Sequence, residues 1–392
     1  MEAINLKQNL SADQKNALVI LLDWLKKPTN QYISLGGYAG TGKTTLIALL
    51  SQLLHQYNPK IRISFVSFTG KAATVLKKQL TFFNSVAEKD FVGTIHSLIY
   101  SPLIGKNEEI IGWDKKEKVA ADLIIVDEAS MIDSQIWQDL LFFNIPIIAV
   151  GDHGQLPPIN GSFNLMETPQ IKLDHIHRQA ENNPIIKLSI LARENGQIPF
   201  GTFAKTVKKI KKDDFDTQEE IENLLSQNLD ETLILCGYNN TRVKLNQYVR
   251  QLKGMESPSP VTGDQVICLR NNHKKQIFNG MIGKIKSISR ENPKWYYSEI
   301  TFTDMDRKFK GLISVDQFNQ TTALNHTQNR KETLAGDLFD FGYAMTVHKA
   351  QGSQANRVIL FEERFKQMDD QMWRRWLYTA ITRAVEELYI VG

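Results

Sequence analysis

Eight consecutive residues, Gly37-Tyr38-Ala39-Gly40-Thr41-Gly42-Lys43-Thr44, spell G-x-x-x-x-G-K-T, a spacing suited to phosphate. Glycines let the backbone curl until its N–H groups converge on phosphate oxygens. A helix starting at the end of the loop adds the positive end of its dipole. In that arrangement Lys43 reaches the β- and γ-phosphates and Thr44 holds Mg²⁺ through its hydroxyl. Gly37, Gly40, Thr41, Gly42 and Thr45 complete the cradle. The bland alternative is a chance glycine turn. Against it, Tyr32-Ile33-Ser34-Leu35 reads as a strand before the loop, and residues 45–54 read as a helix after it. A nucleoside triphosphate is the expected ligand.

Further residues could act on such a ligand. Leu123-Ile124-Ile125-Val126 is an apolar strand that ends in Asp127-Glu128. Asp127 suits Mg²⁺ and Glu128 suits activation of water, whereas an isolated Asp-Glu pair is ordinarily just solvated. Another strand runs into Val150-Gly151-Asp152-His153-Gly154-Gln155, where Gln155 either senses the γ-phosphate or sits in a plain loop. Arg178, in Leu173-Asp174-His175-Ile176-His177-Arg178, and Arg383, in Tyr378-Thr379-Ala380-Ile381-Thr382-Arg383, carry the charge that an arginine can bring to a γ-phosphate. Such a contact is worth about 10³–10⁵ in rate; taken singly, each arginine reads as a surface residue.

These residues need a scaffold, and the chain is long enough to supply one. Its 392 residues suit roughly two to four domains. An apolar content of 42% with 23% charged residues is ordinary for a soluble globular protein. The N-terminal residues lack a signal-like apolar core, and no run approaches the roughly 18 apolar residues of a membrane span. Cys236 and Cys268 are too few for a disulfide framework or a zinc site, so a cytoplasmic setting is expected. The net charge of +4 neither requires nor excludes nucleic acid. Residues 261–335 carry 12 Lys+Arg against 7 Asp+Glu, and Lys205, Lys208, Lys209, Lys211 and Lys212 form a second basic run beside Asp213, Asp214 and Asp216. Such runs are usually solvated faces.

Helix and strand patterns alternate over residues 11–185, beginning with the capping-box pattern Ser11-Ala12-Asp13-Gln14. The short apolar runs ending in polar residues predict an α/β fold with a doubly wound parallel sheet. Residues 97–120 break the rhythm with a small β excursion. Around 186–200, Gly196, Pro199 and Gly201 mark a domain junction. Alternation resumes with Thr232-Leu233-Ile234-Leu235-Cys236 and a helical 238–252. It is interrupted over 261–335 by a β-rich, barrel-like insert with an Asn279-Gly280 turn, and returns over 336–392.

The ordered set of motifs resembles a superfamily 1 DNA helicase, most of all its RecD-like and Dda-like 5′-to-3′ branch (superfamily 1B). Residues 37–44 resemble motif I, and Asp127-Glu128-Ala129-Ser130-Met131 motif II. Residues 151–158 resemble motif III, Arg178 the motif IV arginine, Thr346-Val347-His348-Lys349-Ala350-Gln351-Gly352-Ser353 motif V, and 378–383 motif VI. Thr69-Gly70-Lys71-Ala72-Ala73 and Gly93-Thr94-Ile95-His96-Ser97 resemble motifs Ia and Ib. Gln14 stands where the family reads adenine, a role that competes with helix capping.

The resemblance implies two RecA-like P-loop domains, 1–96 with 121–185 and 186–260 with 336–392, carrying a short pin-like insert at 97–120 and an SH3-like barrel at 261–335. ATP would lie between the domains with Mg²⁺. The catalytic group would be Lys43, Glu128, Gln155, Arg178 and Arg383. Single-stranded DNA would meet Phe68, Thr69, Lys71, Thr94, His96, His153, Thr346, His348 and Ser353, and tailed duplex DNA would be the substrate of a monomer. Phe68 either stacks on a base or packs, and His348 either grips DNA or packs in its loop. Where relatives have Ala-Pro before motif Ia, this chain has Ser67-Phe68; its pin is short, so Ile104, Trp113 or neither is the wedge. An RNA-directed translocase and a nucleotide-gated clamp that does not unwind are the competing readings. ATP turnover stimulated by DNA separates the expected helicase from both.

Overall fold

A computed structural model describes residues 10–104, 110–158, 163–176, 182–272, 275, 277–302, 308–324 and 335–392. The chain divides into two compact units, Met1–Lys187 and Leu188–Gly392.

The first unit has β1 (Tyr32–Gly37), β2 (Ile63–Ser67), β3 (Phe91–Thr94), a hairpin of β4 (Tyr100–Ile104) and β5 (Ile110–Lys115), then β6 (Leu123–Asp127), β7 (Ile147–Gly151) and β8 (Ile171–Leu173). All except the hairpin form one parallel sheet in the order β3-β2-β6-β7-β1-β8. Its central strands are apolar on successive residues because both faces are covered. Leu123 and Ile125 pack in one cluster with α1 (Ala12–Lys26), α2 (Lys43–Tyr57) and α3 (Gly70–Phe82). Ile124 and Val126 pack in another with α4 (Ile95–Ile99) and α5 (Ser134–Leu141). That alternation along β6 fixes its register, since a one-residue slip would exchange the two faces. At the start of α1 the capping box is present, with the Ser11 N–H donating to Gln14 Oε1 at 3.1 Å and the Gln14 N–H to Ser11 Oγ at 3.4 Å.

In the second unit, β9 (Gly201–Ala204), β10 (Val207–Ile210), β11 (Thr232–Cys236), β17 (Ala344–Thr346), β18 (Ala355–Phe361) and β19 (Ala384–Val391) form a sheet in the order β17-β11-β18-β19-β10-β9. It is parallel except at β9, which pairs antiparallel with β10. Helix α6 (Pro184–Asn195) spans the boundary between the units. Later come α7 (Phe215–Ser226), α8 (Asn239–Leu252) and α9 (Asp370–Ile381). Within the basic run at 205–212, Lys208 pairs with Glu220 and Lys209 with Glu362, whereas Lys205, Lys211 and Lys212 are exposed.

Between α8 and β17 lies an antiparallel sheet of β12 (Gln265–Cys268), β13 (Ile282–Arg290), β14 (Trp295–Phe302), β15 (Lys308–Ser314) and β16 (Phe339–Phe341), in the order β15-β14-β13-β12-β16. Just before β16, Asp337 exchanges backbone hydrogen bonds with β15, its N–H to Leu312 O at 2.8 Å and its O from the Ser314 N–H at 3.0 Å. The two ends of the sheet therefore meet, and it curls into a small barrel. β16 lies beyond residue 335, so the β structure continues past the limit read from the sequence. Part of the positive surplus is matched inside the protein: Lys275 pairs with Asp337, Lys284 with Asp230 and Lys310 with Glu299.

Cys236 and Cys268 are buried in β11 and β12, where burial pushes both thiols up to about 12. Among the described residues no helix is long and apolar enough to cross a membrane.

Candidate functional site

In the first unit the loops with chemical potential leave the C-terminal edge of the parallel sheet, where α/β folds place ligands. After β1, the loop reaches α2 through Gly40 and Gly42, both at positive φ (80° and 75°), a conformation costly for other residues. Gly42 caps α2 without a side-chain hydrogen bond, so the first-turn N–H groups remain available to an anion. Lys43 curls over the loop and donates from Nζ to Gly37 O at 2.6 Å and Tyr38 O at 3.0 Å. Thr41 is buried and ties the loop internally through Oγ1 to Tyr38 O at 2.8 Å, whereas Thr44 and Thr45 are half-buried on the first turn of α2. Thr41 thus shapes the cradle, and a direct ligand contact belongs more naturally to its neighbours.

Asp127 ends β6. Burial and then the adjacent Glu128 carboxylate push it up to about 7, with Lys43 drawing it back. A divalent cation is the charge that would relieve this pair. Glu128 itself sits at φ 53°, ψ 40°, left-handed backbone that costs a non-glycine residue on the order of 1–2 kcal/mol. Buried polar atoms without a hydrogen-bond partner among the described residues lie at the same edge: Ser67 Oγ, Ser130 Oγ, His153 Nδ1 and Gln155 Oε1. Such atoms are rare unless a ligand or water uses them, so the residues fit a Mg²⁺–nucleotide. Gln155 is held by its amide, with Nε2 facing Asp152 Oδ2 at 3.4 Å, which leaves Oε1 as the acceptor. The His153 ring lies 4.1 Å from that of Tyr38, in the phosphate loop, which places it beside the nucleotide cradle.

Gln14 is buried, and both ends of its amide are engaged. Oε1 takes the Ser11 N–H, and Nε2 donates to Thr41 O at 3.0 Å. It therefore braces the phosphate loop as well as capping α1. Asp13, which sequence reading passed over, accepts the N–H groups of Asp174 and His175 at 3.1 and 3.0 Å and so ties α1 to the segment after β8. Arg178 itself lies outside the described residues.

The loop after β2 begins beside the acids, because Ser67 is in register with Asp127, and the loop after β3 begins one strand further out, where Thr94 is in register with Ser67. Thr69 and Thr94 are the N-caps of α3 and α4, accepting from the Ala72 and Ser97 N–H groups at 3.2 Å. Phe68 packs half-buried on the core with its ring 6.4 Å from that of His96, edge to face. Lys71 is half-buried on the first turn of α3. Burial holds His96 below the usual imidazole range despite nearby Asp133.

In the second unit, β17 ends at Thr346, and His348 follows, held low by burial alone. Thr346 and Ser353 are both buried. Arg383 is 2% exposed and donates to Thr379 O at 3.0 Å, Ser353 O at 3.2 Å and Thr382 Oγ1 at 3.2 Å. No carboxylate pairs with it among the described residues.

A phosphate loop, a strand-end acid pair and a parallel sheet define a P-loop NTPase. Residues 9–215 match the AAA domain family, and residues 341–391 match the UvrD-like helicase C-terminal domain. The chain is 24% identical to the RecBCD enzyme subunit RecD of Buchnera aphidicola, over 99% of this chain and 75% of that one. It is 25% identical to the ATP-dependent RecD2 DNA helicase of Deinococcus radiodurans, over 93% of this chain but only 47% of that protein. Its fold is that of the Bacteroides Pif1 helicase crystallised with ADP-AlF3 and single-stranded DNA, with a TM-score of 0.55 at 16% identity over 98% of this chain and 93% of that one. The chain belongs to the AAA-domain P-loop proteins and, within them, to the RecD-like helicases of superfamily 1B, a family of ATP-hydrolysing DNA helicases.

Proposed function

We propose that this chain is an ATP-driven, Mg²⁺-dependent helicase that moves 5′ to 3′ along single-stranded DNA and separates tailed duplexes as a monomer. The observation that carries the reading is the register of Ser67, Thr94 and Asp127 across β2, β3 and β6. One loop suited to gripping a strand starts beside the acids suited to hydrolysis, and a second starts one strand further out. A change at the γ-phosphate can therefore reach the grip without a long relay.

Lys43 and the first-turn N–H groups of α2 would bind the triphosphate, with Thr44 and Asp127 holding Mg²⁺. The ion would draw charge from the phosphate oxygens. Glu128 takes a proton from a water that Gln155 Oε1 orients. That water bonds to the γ-phosphorus as the bond to the β–γ bridging oxygen breaks, leaving ADP and inorganic phosphate. Arg178 and Arg383 would offset charge on the transferring group. ATP would favour closure of the two units because Arg383 gains its anion only then, and hydrolysis would remove that preference. Thr69, Lys71, Thr94 and His96 would hold the strand on one unit, with His348 and the motif V loop on the other. Contacts of this kind go to phosphates, so binding tolerates any sequence and weakens with salt.

ATP turnover with DNA or RNA single strands of equal length tests this reading. DNA should stimulate strongly and RNA weakly. Equal stimulation would favour an RNA-capable translocase, and none would favour a clamp.

A further inference from the structure

The β4–β5 hairpin is a two-stranded sheet of its own, and such a hairpin is marginal without anchoring. Its base is tied to α5 at one side chain. Tyr100, the first residue of β4, lies directly opposite Lys115, the last of β5. Both reach Asp139, Tyr100 Oη at 2.5 Å from Oδ2 and Lys115 Nζ at 3.1 Å from Oδ1. One carboxylate thus closes the two strands at their root. Lys115 also lies 4.1 Å over the ring of Phe142, just beyond α5. Burial opposes the charge on Asp139, but hydrogen bonds from Tyr100, Lys115 and Gln135 outweigh it and hold the carboxyl low.

The same root touches the strand-contacting loops. The Tyr100 ring lies 5.4 Å from that of His96, which in turn faces Phe68. Lys116 donates from Nζ to Ser97 O and Leu98 O, both at 2.9 Å, fixing the chain after β5 against α4. A lever of this kind amplifies error at its base. At roughly 3.3 Å per residue, a tilt of about 10° moves a point five residues up the strand by about 3 Å.

We propose that Asp139 is a positioning residue for strand separation: by clamping Tyr100 and Lys115 it sets the hairpin against the DNA-gripping loops, and it takes no part in ATP hydrolysis. The inference rests on the helicase reading above. It concerns how force on the strand reaches a duplex, whichever hairpin side chain meets the base pairs.

Asp139→Ala removes the clamp from the α5 side, and Tyr100→Phe with Lys115→Met removes it from the hairpin side while keeping the aromatic ring on His96. Either should leave strand-stimulated ATP turnover within about twofold. Displacement of a 5′-tailed duplex should fall at least about tenfold, the scale of one charge-assisted hydrogen bond. Because both variants break one link, combining them should add little. Hydrogen exchange of the β4 backbone amides of Ser101, Leu103 and Ile104 should accelerate in Asp139→Ala, and this readout needs no activity. Wild-type displacement in Asp139→Ala, turnover falling in step with displacement, or unchanged exchange would each overturn the proposal. A wild-type protein that hydrolyses ATP with DNA yet displaces nothing would instead contradict the helicase reading, and with it the role given to Asp139, even if exchange still accelerates.

Discussion

Lys43, Glu128 and Arg383 are proposed to do different things to one phosphate, so their variants should fail differently. Lys43→Ala removes the cation nearest the transferred group. Turnover should fall by about 10³ or more at saturating ATP, and wild-type turnover would remove the loop from catalysis. Glu128→Gln keeps shape and loses the base. Turnover should fall by about 10²–10⁴ while ATP still binds. Its melting temperature should not drop, because repulsion with Asp127 is relieved; a lower melting temperature together with full turnover would contradict both roles. Arg383→Ala should retain ATP binding, measured by equilibrium titration, and lose turnover. Equal loss of both would mark Arg383 as a purely structural buried cation, a role its three hydrogen bonds also fit.

How much of this was legible in the sequence depends on how local each signal is. The phosphate loop and the Asp127-Glu128 strand end could be read because spacing of a few residues carries their geometry. In the sequence Thr69 and Thr94 read as strand contacts, and their work as helix caps is visible only with the helices that they begin. Asp13 and Asp139 carry no such signal, because a carboxylate in a polar stretch looks solvated until its distant partners are known.

At the scale of elements, buried ion pairs hold the β insert to the second unit. Arg250 on α8 makes a two-pronged contact with Asp264 at the start of the insert, at 2.9 and 3.1 Å, and Tyr343 just past its end donates to the same carboxylate at 3.0 Å. Arg242 on α8 pairs with Asp340 in β16 at 2.7 Å. Both roots of the insert are therefore fastened to one helix. Removing one partner of a buried pair leaves the other charge uncompensated, so Arg250→Met should cost about 3–5 kcal/mol in denaturant unfolding of the second unit. A loss under about 1 kcal/mol would show that the pair behaves like a surface contact. The sequence showed that an insert exists, through turn residues and β-rich runs. It did not show that charged residues would be buried at its roots, because arginine on a helix ordinarily reads as exposed.

For the molecule as a whole, the proposed function requires contact with a nucleic acid backbone. Binding to single strands should then weaken with salt. About five phosphate contacts imply roughly a hundredfold loss between 50 and 200 mM monovalent salt, and a flat response would argue against backbone contacts. The fold class was readable because alternating helix and buried-strand patterns recur twice. The direction of travel has no such signature in any residue and comes from the branch that the motifs resemble. ATP-driven displacement of three duplexes, one with a 5′ single-stranded tail, one with a 3′ tail and one blunt, tests both activity and direction. Only the 5′-tailed duplex should be displaced, with turnover stimulated by its tail; preference for the 3′ tail, or tail-stimulated turnover without displacement of any duplex, would overturn 5′-to-3′ strand separation.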